Sequence, residues 1–353
     1  MDRSFYLNLA RRGLRMPIGT DLLLHEQADP ERAARDGRAL GRVVEAAARK
    51  YGTPLAFGHM DLMREKTALL ALLDIPPAQI PTYHFEGPPG AEAVETVRSR
   101  IEGPLHPALQ AHVDSIGYVA AHTDLVPIGM SIGPFSLMTK LLADPITPIY
   151  LAGSGATAAE DEDVAAVEGL LELSLLMVRR TVGAQLAAGA KAIFIAEPAA
   201  NVVYLSPKQL AAGADIFERY VTAYNRQIKA LLASHGAELI FHCCGELVDG
   251  MVQAFGSLDP ALLSLGSSRK LWEDARLVPE RVVLYGNLPT KHFYSDAMVS
   301  QDDVARMTCQ LLARMQATGH PFILGSECDV LHVPEHAATI REKVDIMVGC
   351  RCG

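Results

Sequence analysis

The sequence predicts an α/β chain folded as a (β/α)8 TIM barrel, on two observations: a helix-then-strand unit that recurs, and the continuous apolar character of the strands. Three segments share one grammar. The first runs G-L-L-E-L-S-L-L-M-V-R-R-T-V-G-A-Q-L-A-A-G and then K-A-I-F-I-A-E-P. The second runs Y-V-T-A-Y-N-R-Q-I-K-A-L-L-A-S-H-G and then A-E-L-I-F-H-C-C-G. The third runs V-A-R-M-T-C-Q-L-L-A-R-M-Q-A-T-G and then H-P-F-I-L-G-S-E-C. In each, apolar residues at spacings of three and four predict a helix, and Gly189, Gly236 or Gly319 closes it as a left-handed cap. A short apolar run follows, suited to a parallel strand buried on both faces.

Further strands are expected at T-P-L-A-F-G, L-V-P-I-G-M, P-I-Y-L, A-L-L-S-L and R-V-V-L-Y-G-N, which brings the count to about eight over a length usual for a barrel. The rival, a doubly wound open sheet, lacks a G-x-G-x-x-G after an early strand; G-S-G at Gly153 to Gly155 instead leads into the acidic run E-D-E-D, a loop or helix start. No Gly-, Ser- or Pro-rich linker divides the chain. It is expected to form one domain over residues 1–353, with residues 1–52 as a mainly helical N-terminal extension.

Composition narrows the function classes. Of 353 residues, 49% are hydrophobic and 21% charged, the balance of a globular protein. A formal net charge of -9 without a basic block argues against nucleic acid, whose backbone demands concentrated positive charge. The N-terminus lacks the apolar core of a signal peptide, and no uncharged apolar run reaches the ~18 residues of a membrane span, so a cytoplasmic location is expected. Six cysteines are too few for a disulfide framework and are expected to stay as thiols. Cys309, within an amphipathic helix, reads as a small buried hydrophobe, and Cys350 and Cys352 as incidental thiols of a frayed tail.

His242, Cys244 and Cys328 call for a different account. In F-H-C-C-G, one residue separates the imidazole from the second thiol, and Cys328 ends another strand 84 positions on. A barrel gathers strand ends at its C-terminal mouth, where barrel enzymes keep their chemistry. One nitrogen and two sulfurs suit zinc, and three protein ligands leave a position for substrate. Cys243, between the two, should point the other way into the barrel wall. The competing reading is a satisfied core histidine with small buried thiols. Zinc would hold a thiol as thiolate at neutral pH, and two thiolate ligands weaken the ion as a Lewis acid, which favours thiol alkylation over hydrolysis. Glu197, Asp61 and Asn287 are weaker candidates for binding substrate, each just past a strand; His59 is a strand-end candidate with no motif to support it, and Tyr204 and His292, able to stack on a planar ligand, read as packing residues.

The motifs H-C-C-G, L-Y-G-N-L near Asn287, F-I-L-G-S-E-C with Cys328, I-G-P-F-S-L-M-T-K-L and A-E-P-A-A-N-V-V-Y-L-S-P-K occur in an order that resembles the uroporphyrinogen decarboxylase-like superfamily over roughly residues 15–348. Within it, the chain looks most like the corrinoid-dependent methylcobamide:coenzyme M methyltransferases. The resemblance implies a barrel with zinc on His242, Cys244 and Cys328, and a methyl group moved between corrinoid cobalt and a small molecule. Two departures matter. The arginine-rich motif of true decarboxylases survives only as a faint echo in R-R-G-L-R-M-P. Glu197 replaces the family's usual Asp, and its longer side chain could reach the metal as a displaceable fourth ligand. No Asp is followed two residues later by His, as in corrinoid-binding D-x-H-x-x-G, so a separate corrinoid protein is expected to supply methylcobalamin. Three alternatives stay open: a corrinoid-dependent demethylase of a methylated donor, a cobalamin-independent homocysteine methyltransferase, and a non-enzymatic subunit that binds zinc or a corrinoid protein.

Overall fold

The computed structural model describes residues 2–352. Eight parallel strands form one sheet: β1 (Arg15–Ile18), β2 (Leu55–Phe57), β3 (Val126–Ile132), β4 (Ala192–Ala196), β5 (Glu238–Cys243), β6 (Leu262–Leu265), β7 (Val283–Leu288) and β8 (Phe322–Asp329). Their order, β1-β8-β7-β6-β5-β4-β3-β2, with helices in between, is that of a (β/α)8 barrel. The seam between β1 and β2 lacks a ladder and is bridged by side chains. The Thr20 hydroxyl donates to the Phe57 carbonyl at 2.8 Å, and the Thr53 hydroxyl lies 3.2 Å from the Met16 sulfur.

Both faces of the sheet are apolar, as parallel strands require. Ile128, Met130, Phe194, Ile240, Leu262, Val283 and Ile323 fill the barrel. Their neighbours Ile193, Ile195, Leu239, Phe241, Leu263 and Leu284 face the helical layer. The longest helix, Glu162–Ala187, starts in the acidic run, where the Asp161 carboxylate accepts from the Val164 amide at 2.9 Å. Gly189, Gly236 and Gly319 follow their helices at φ of 108°, 65° and 71°, the left-handed conformation expected of them.

The N-terminal segment holds more than helices. The helix Arg3–Arg11 packs Tyr6 and Leu9 into the barrel's interior cluster, and Arg3 donates to the Asp259 carbonyl at 2.7 Å ahead of β6. It therefore closes the end of the barrel opposite the mouth. Residues 15–18 then supply β1, a strand the sequence reading passed over. Conversely, P-I-Y-L is no strand. It lies in the helix Ile146–Gly153, where the Asp144 carboxylate accepts from the amides of Ile146 and Thr147 at 2.9 and 3.2 Å.

The cysteines of the C-terminal region also depart from expectation. Cys309 is half-buried instead of a core residue, and it forms a disulfide with Cys352 across 43 positions. The tail is thus fastened to the helix Gln301–Thr318, and only Cys243, Cys244, Cys328 and Cys350 remain as free thiols.

One buried clamp completes the wall where β2 stops short. Beyond Ile128, β3 has no ladder partner on its β2 side, and the Gln185 side chain takes that place. Its carbonyl accepts from the Met130 amide at 2.8 Å, and its amide donates to the Met130 carbonyl at 2.9 Å. Replacing it leaves two buried backbone groups unsatisfied. Gln185→Leu is expected to destabilise the fold by roughly 2–4 kcal/mol, read as a lower denaturant midpoint with an unchanged slope.

Candidate metal centre

His242 ends up inside the barrel because of the pleat. Along β5, Ile240 belongs to the interior cluster and Phe241 to the outer layer, so His242 points inward. Cys243 turns outward as expected, fully buried, with its thiol 3.6 Å from the Ala200 carbonyl. Cys244 returns to the mouth. Gly245 lets the loop pass the neighbouring segment: a Cβ there would stand 2.4 Å from the Cβ of Asn201.

Cys328 needs a further device. Met16 pairs with Gly325 and Ile18 with Asp329, so β8 carries two extra residues between those rungs. Such an irregularity changes which side chains face inward, as bulges beside active sites do. The nitrogen of His242 and the sulfurs of Cys244 and Cys328 come within 4.8 Å of one another, drawn from two strands.

The hydrogen bonds assign the free nitrogen. The Ser264 hydroxyl on β6 lies 2.8 Å from His242 Nδ1, while Nε2, buried, has no partner among the described residues. A buried imidazole nitrogen without a partner costs free energy unless something fills the position. An ion held with the two sulfurs would do so. The Ser264 contact fixes ring angle, the kind of outer support a histidine would need to bind a metal. Phe194 holds the ring from the side, centroids 5.2 Å apart.

The electrostatics favour a thiolate at Cys244. A hydrogen bond from the Cys328 thiol, helped by His242 and Lys291 and opposed by burial, draws the Cys244 thiol below the usual range. That same contact, burial and the Cys244 charge push Cys328 up. Burial disfavours the Lys291 ammonium, but the charges of Cys244, Cys328 and Glu327 outweigh it and raise its pKa. Glu327 braces the Lys291 loop, accepting from the Lys291 amide at 3.2 Å and the Ser267 hydroxyl at 2.7 Å.

A family model, uroporphyrinogen decarboxylase (URO-D), matches residues 22–347. The chain belongs to the uroporphyrinogen decarboxylase family. No curated protein matches it in sequence. Among solved structures, a methyltransferase from Methanosarcina mazei superposes with a TM-score of 0.64 and 14% identity, covering 97% of both chains. At that identity the likeness is one of fold.

Within this uroporphyrinogen decarboxylase fold, the other residues singled out in the sequence serve as supports. Glu197 follows Ala196, which faces the interior, so it points outward and is fully buried. Its carboxylate accepts from the amides of Phe135 and Ser136, at 3.2 and 2.7 Å, and from Asn225 at 2.9 Å. It holds the G-P-F segment and is turned away from His242, Cys244 and Cys328, which corrects the expectation of a fourth ligand or substrate contact. Asn287 lies at the mouth, but both hydrogens of its amide donate to the loop after β6, at the carbonyls of Gly266 and Arg269. Asp61 accepts from the Met63 amide at 2.9 Å and pairs with Arg64 at 3.8 Å, opening the helix Arg64–Leu72. Those two residues brace loops and have these groups committed.

Several mouth residues escaped the sequence reading. Asp21, just past β1, accepts from the His332 amide at 2.7 Å and meets His59 at 3.2 Å; Arg64 holds the other side of His59 at 2.9 Å. Asp329, beside Cys328, is almost fully buried, and neither carboxylate oxygen has a partner among the described residues. Burial and the nearby Asp21 push its pKa well up. The signal available for Asp21, Asp329 and Lys291 was position at or just past a strand end.

Ser264 supports His242 without touching the proposed ion. Ser264→Ala is expected to weaken zinc binding about 10–100-fold with the fold intact, measured by competition with a chromophoric chelator.

Proposed function

We propose that the protein is a zinc-dependent methyltransferase, moving a methyl group between a corrinoid carried by a separate protein and a small-molecule substrate, with a thiol or a folate as acceptor. The observation that carries this reading is the unpartnered His242 Nε2 facing two thiols on an inward wall of the barrel. His242, Cys244 and Cys328 would hold the zinc. Bound there, the ion would supply a fixed thiolate of the substrate at neutral pH, and the partner's corrinoid would supply the methyl group.

The protein's own groups prepare that encounter. Ser264 fixes the imidazole, and Lys291 offsets the negative charge that two thiolates bring. Asp329 offers a buried carboxyl with no partner among the described residues, suited to a polar substrate group such as an ammonium or hydroxyl.

Exposed apolar residues support the partner. The large hydrophobics exposed among the described residues are Ile146, Tyr150, Val203, Tyr294, Met298 and Leu331. All lie on connections that follow strands β3, β4, β7 and β8, which emerge at the mouth. Apolar side chains around a mouth fit a surface that another protein covers. No helix among the described residues is long and apolar enough to cross a membrane.

Decarboxylation of a polycarboxylate is less well supported. The echo of an arginine motif falls at Arg11, Arg12 and Arg15, at the end of the helix Arg3–Arg11 and the start of β1. These residues lie at the closed end of the barrel, remote from any substrate in the mouth.

The test is an assay of purified protein with methylcobalamin against a panel of thiols and tetrahydrofolate, with bound zinc measured in parallel. Methyl loss should depend on one acceptor, and His242→Ala and Cys328→Ala should each lower the rate more than about 100-fold, beyond the loss typical of an outer support. A rate unchanged in both variants would exclude zinc activation, and transfer from a methyl-folate without any corrinoid would replace the proposed donor.

A further inference from the structure

Besides the outward-facing Cys243, three cysteines remain that the mouth does not use, and the fold collects them. Cys309 lies midway along the helix Gln301–Thr318, while Cys350 and Cys352 follow the helix Ala337–Gly349. The sulfurs of Cys309, Cys350 and Cys352 come within 4.8 Å of one another. Cys309 and Cys352 are joined in a disulfide, and Cys350 is left as a free thiol beside it. Arg15 donates to the Cys350 carbonyl at 2.6 Å, and its guanidinium stands 3.7 Å from the Cys350 sulfur. Arg15 opens β1, so the cluster lies towards the closed end of the barrel, away from His242.

A structural disulfide explains two of these thiols and not the third. Three sulfurs at corners of a tetrahedron with Zn–S bonds of ~2.3 Å stand ~3.8 Å apart, a separation the cluster can adopt once Cys309 and Cys352 are no longer bonded. The C-x-C pair provides two ligands from one short segment, and the helix carrying Cys309 provides the third. The charges also fit. Three thiolates on a divalent ion leave one negative charge, and the Arg15 guanidinium lies against it.

We propose that Cys309, Cys350 and Cys352, once the disulfide is reduced, form a second metal site that takes a thiophilic d10 cation, with Zn2+ as its probe. A dithiol can supply the two electrons and two protons that open the Cys309–Cys352 bond, ending as its own cyclic disulfide. The three thiols then release their protons to solvent as the ion binds. The ion and the disulfide are alternative fasteners for one tail, selected by redox conditions. This reading does not depend on the chemistry at the mouth.

Full-length protein is reduced with a phosphine, stripped with a chelator, gel-filtered and titrated with Zn2+ against a chromophoric chelator. The same is done for Cys309→Ser/Cys350→Ser/Cys352→Ser and for His242→Ala/Cys328→Ser. The reduced parent should take two tight equivalents and each variant one, while parent protein with its disulfide intact takes one. Cd2+ added to reduced His242→Ala/Cys328→Ser should give a thiolate charge-transfer band of three-sulfur intensity. The single variant Cys350→Ser, which can keep the disulfide, should lose the second equivalent too, and circular dichroism confirms its fold. The proposal is overturned if reduced His242→Ala/Cys328→Ser takes no zinc, or if the triple-serine variant binds as much as the parent. Were the mouth site absent instead, the triple-serine variant would bind none and His242→Ala/Cys328→Ser would keep its one, so the two sites fail separately.

Discussion

Along β5 the chain alternates between two apolar environments, and the side to which each residue turns decides what it can do. His242 and Cys244 share the inner side, with Cys243 between them facing the helices. On β8 the same alternation is interrupted between the rungs at Gly325 and Asp329. That interruption allows Cys328 to meet a pair of side chains from three strands away. Both arrangements depend on a wall packed on either side, since a slip of one residue would exchange a ligand for a core residue.

The surroundings follow from putting polar groups at the end of an apolar wall. A buried side chain there needs a partner, and most have found one within the chain. Glu197 is satisfied by backbone amides and Asn225, Asn287 by the loop after β6, and Asp21 by His59 and the His332 amide. Among the buried polar atoms left without a partner by the described residues are His242 Nε2 and both oxygens of the Asp329 carboxylate. Unmet polar capacity on an imidazole beside two thiols, with a carboxyl next to one of them, is what a site for an ion and a polar substrate requires.

Much of this was legible before the fold was known. Helix periodicity with terminal glycines, followed by runs such as K-A-I-F-I-A and E-L-I-F-H, gave the repeating unit, and H-x-C with a remote cysteine gave the candidate ligands. β1 was missed because R-M-P-I is short, begins with a charge and contains a proline. P-I-Y-L was misread because its helix cap lies upstream, at Asp144. Glu197 was misassigned for a deeper reason: strands that are apolar on both faces carry no mark of which face is inner. The Cys309–Cys352 bond was invisible because it depends on how the last two helices pack, and no spacing rule spans 43 positions.

The central claim is that one ion is held by one imidazole nitrogen and two sulfurs at the mouth. X-ray absorption at the zinc edge tests it most directly, on zinc-loaded protein carrying Cys309→Ser, Cys350→Ser and Cys352→Ser so that only the mouth contributes. The account predicts two sulfur scatterers at ~2.3 Å and an imidazole at ~2.0 Å, with a lighter atom completing the shell. A shell of nitrogen and oxygen alone, with no sulfur, would contradict it.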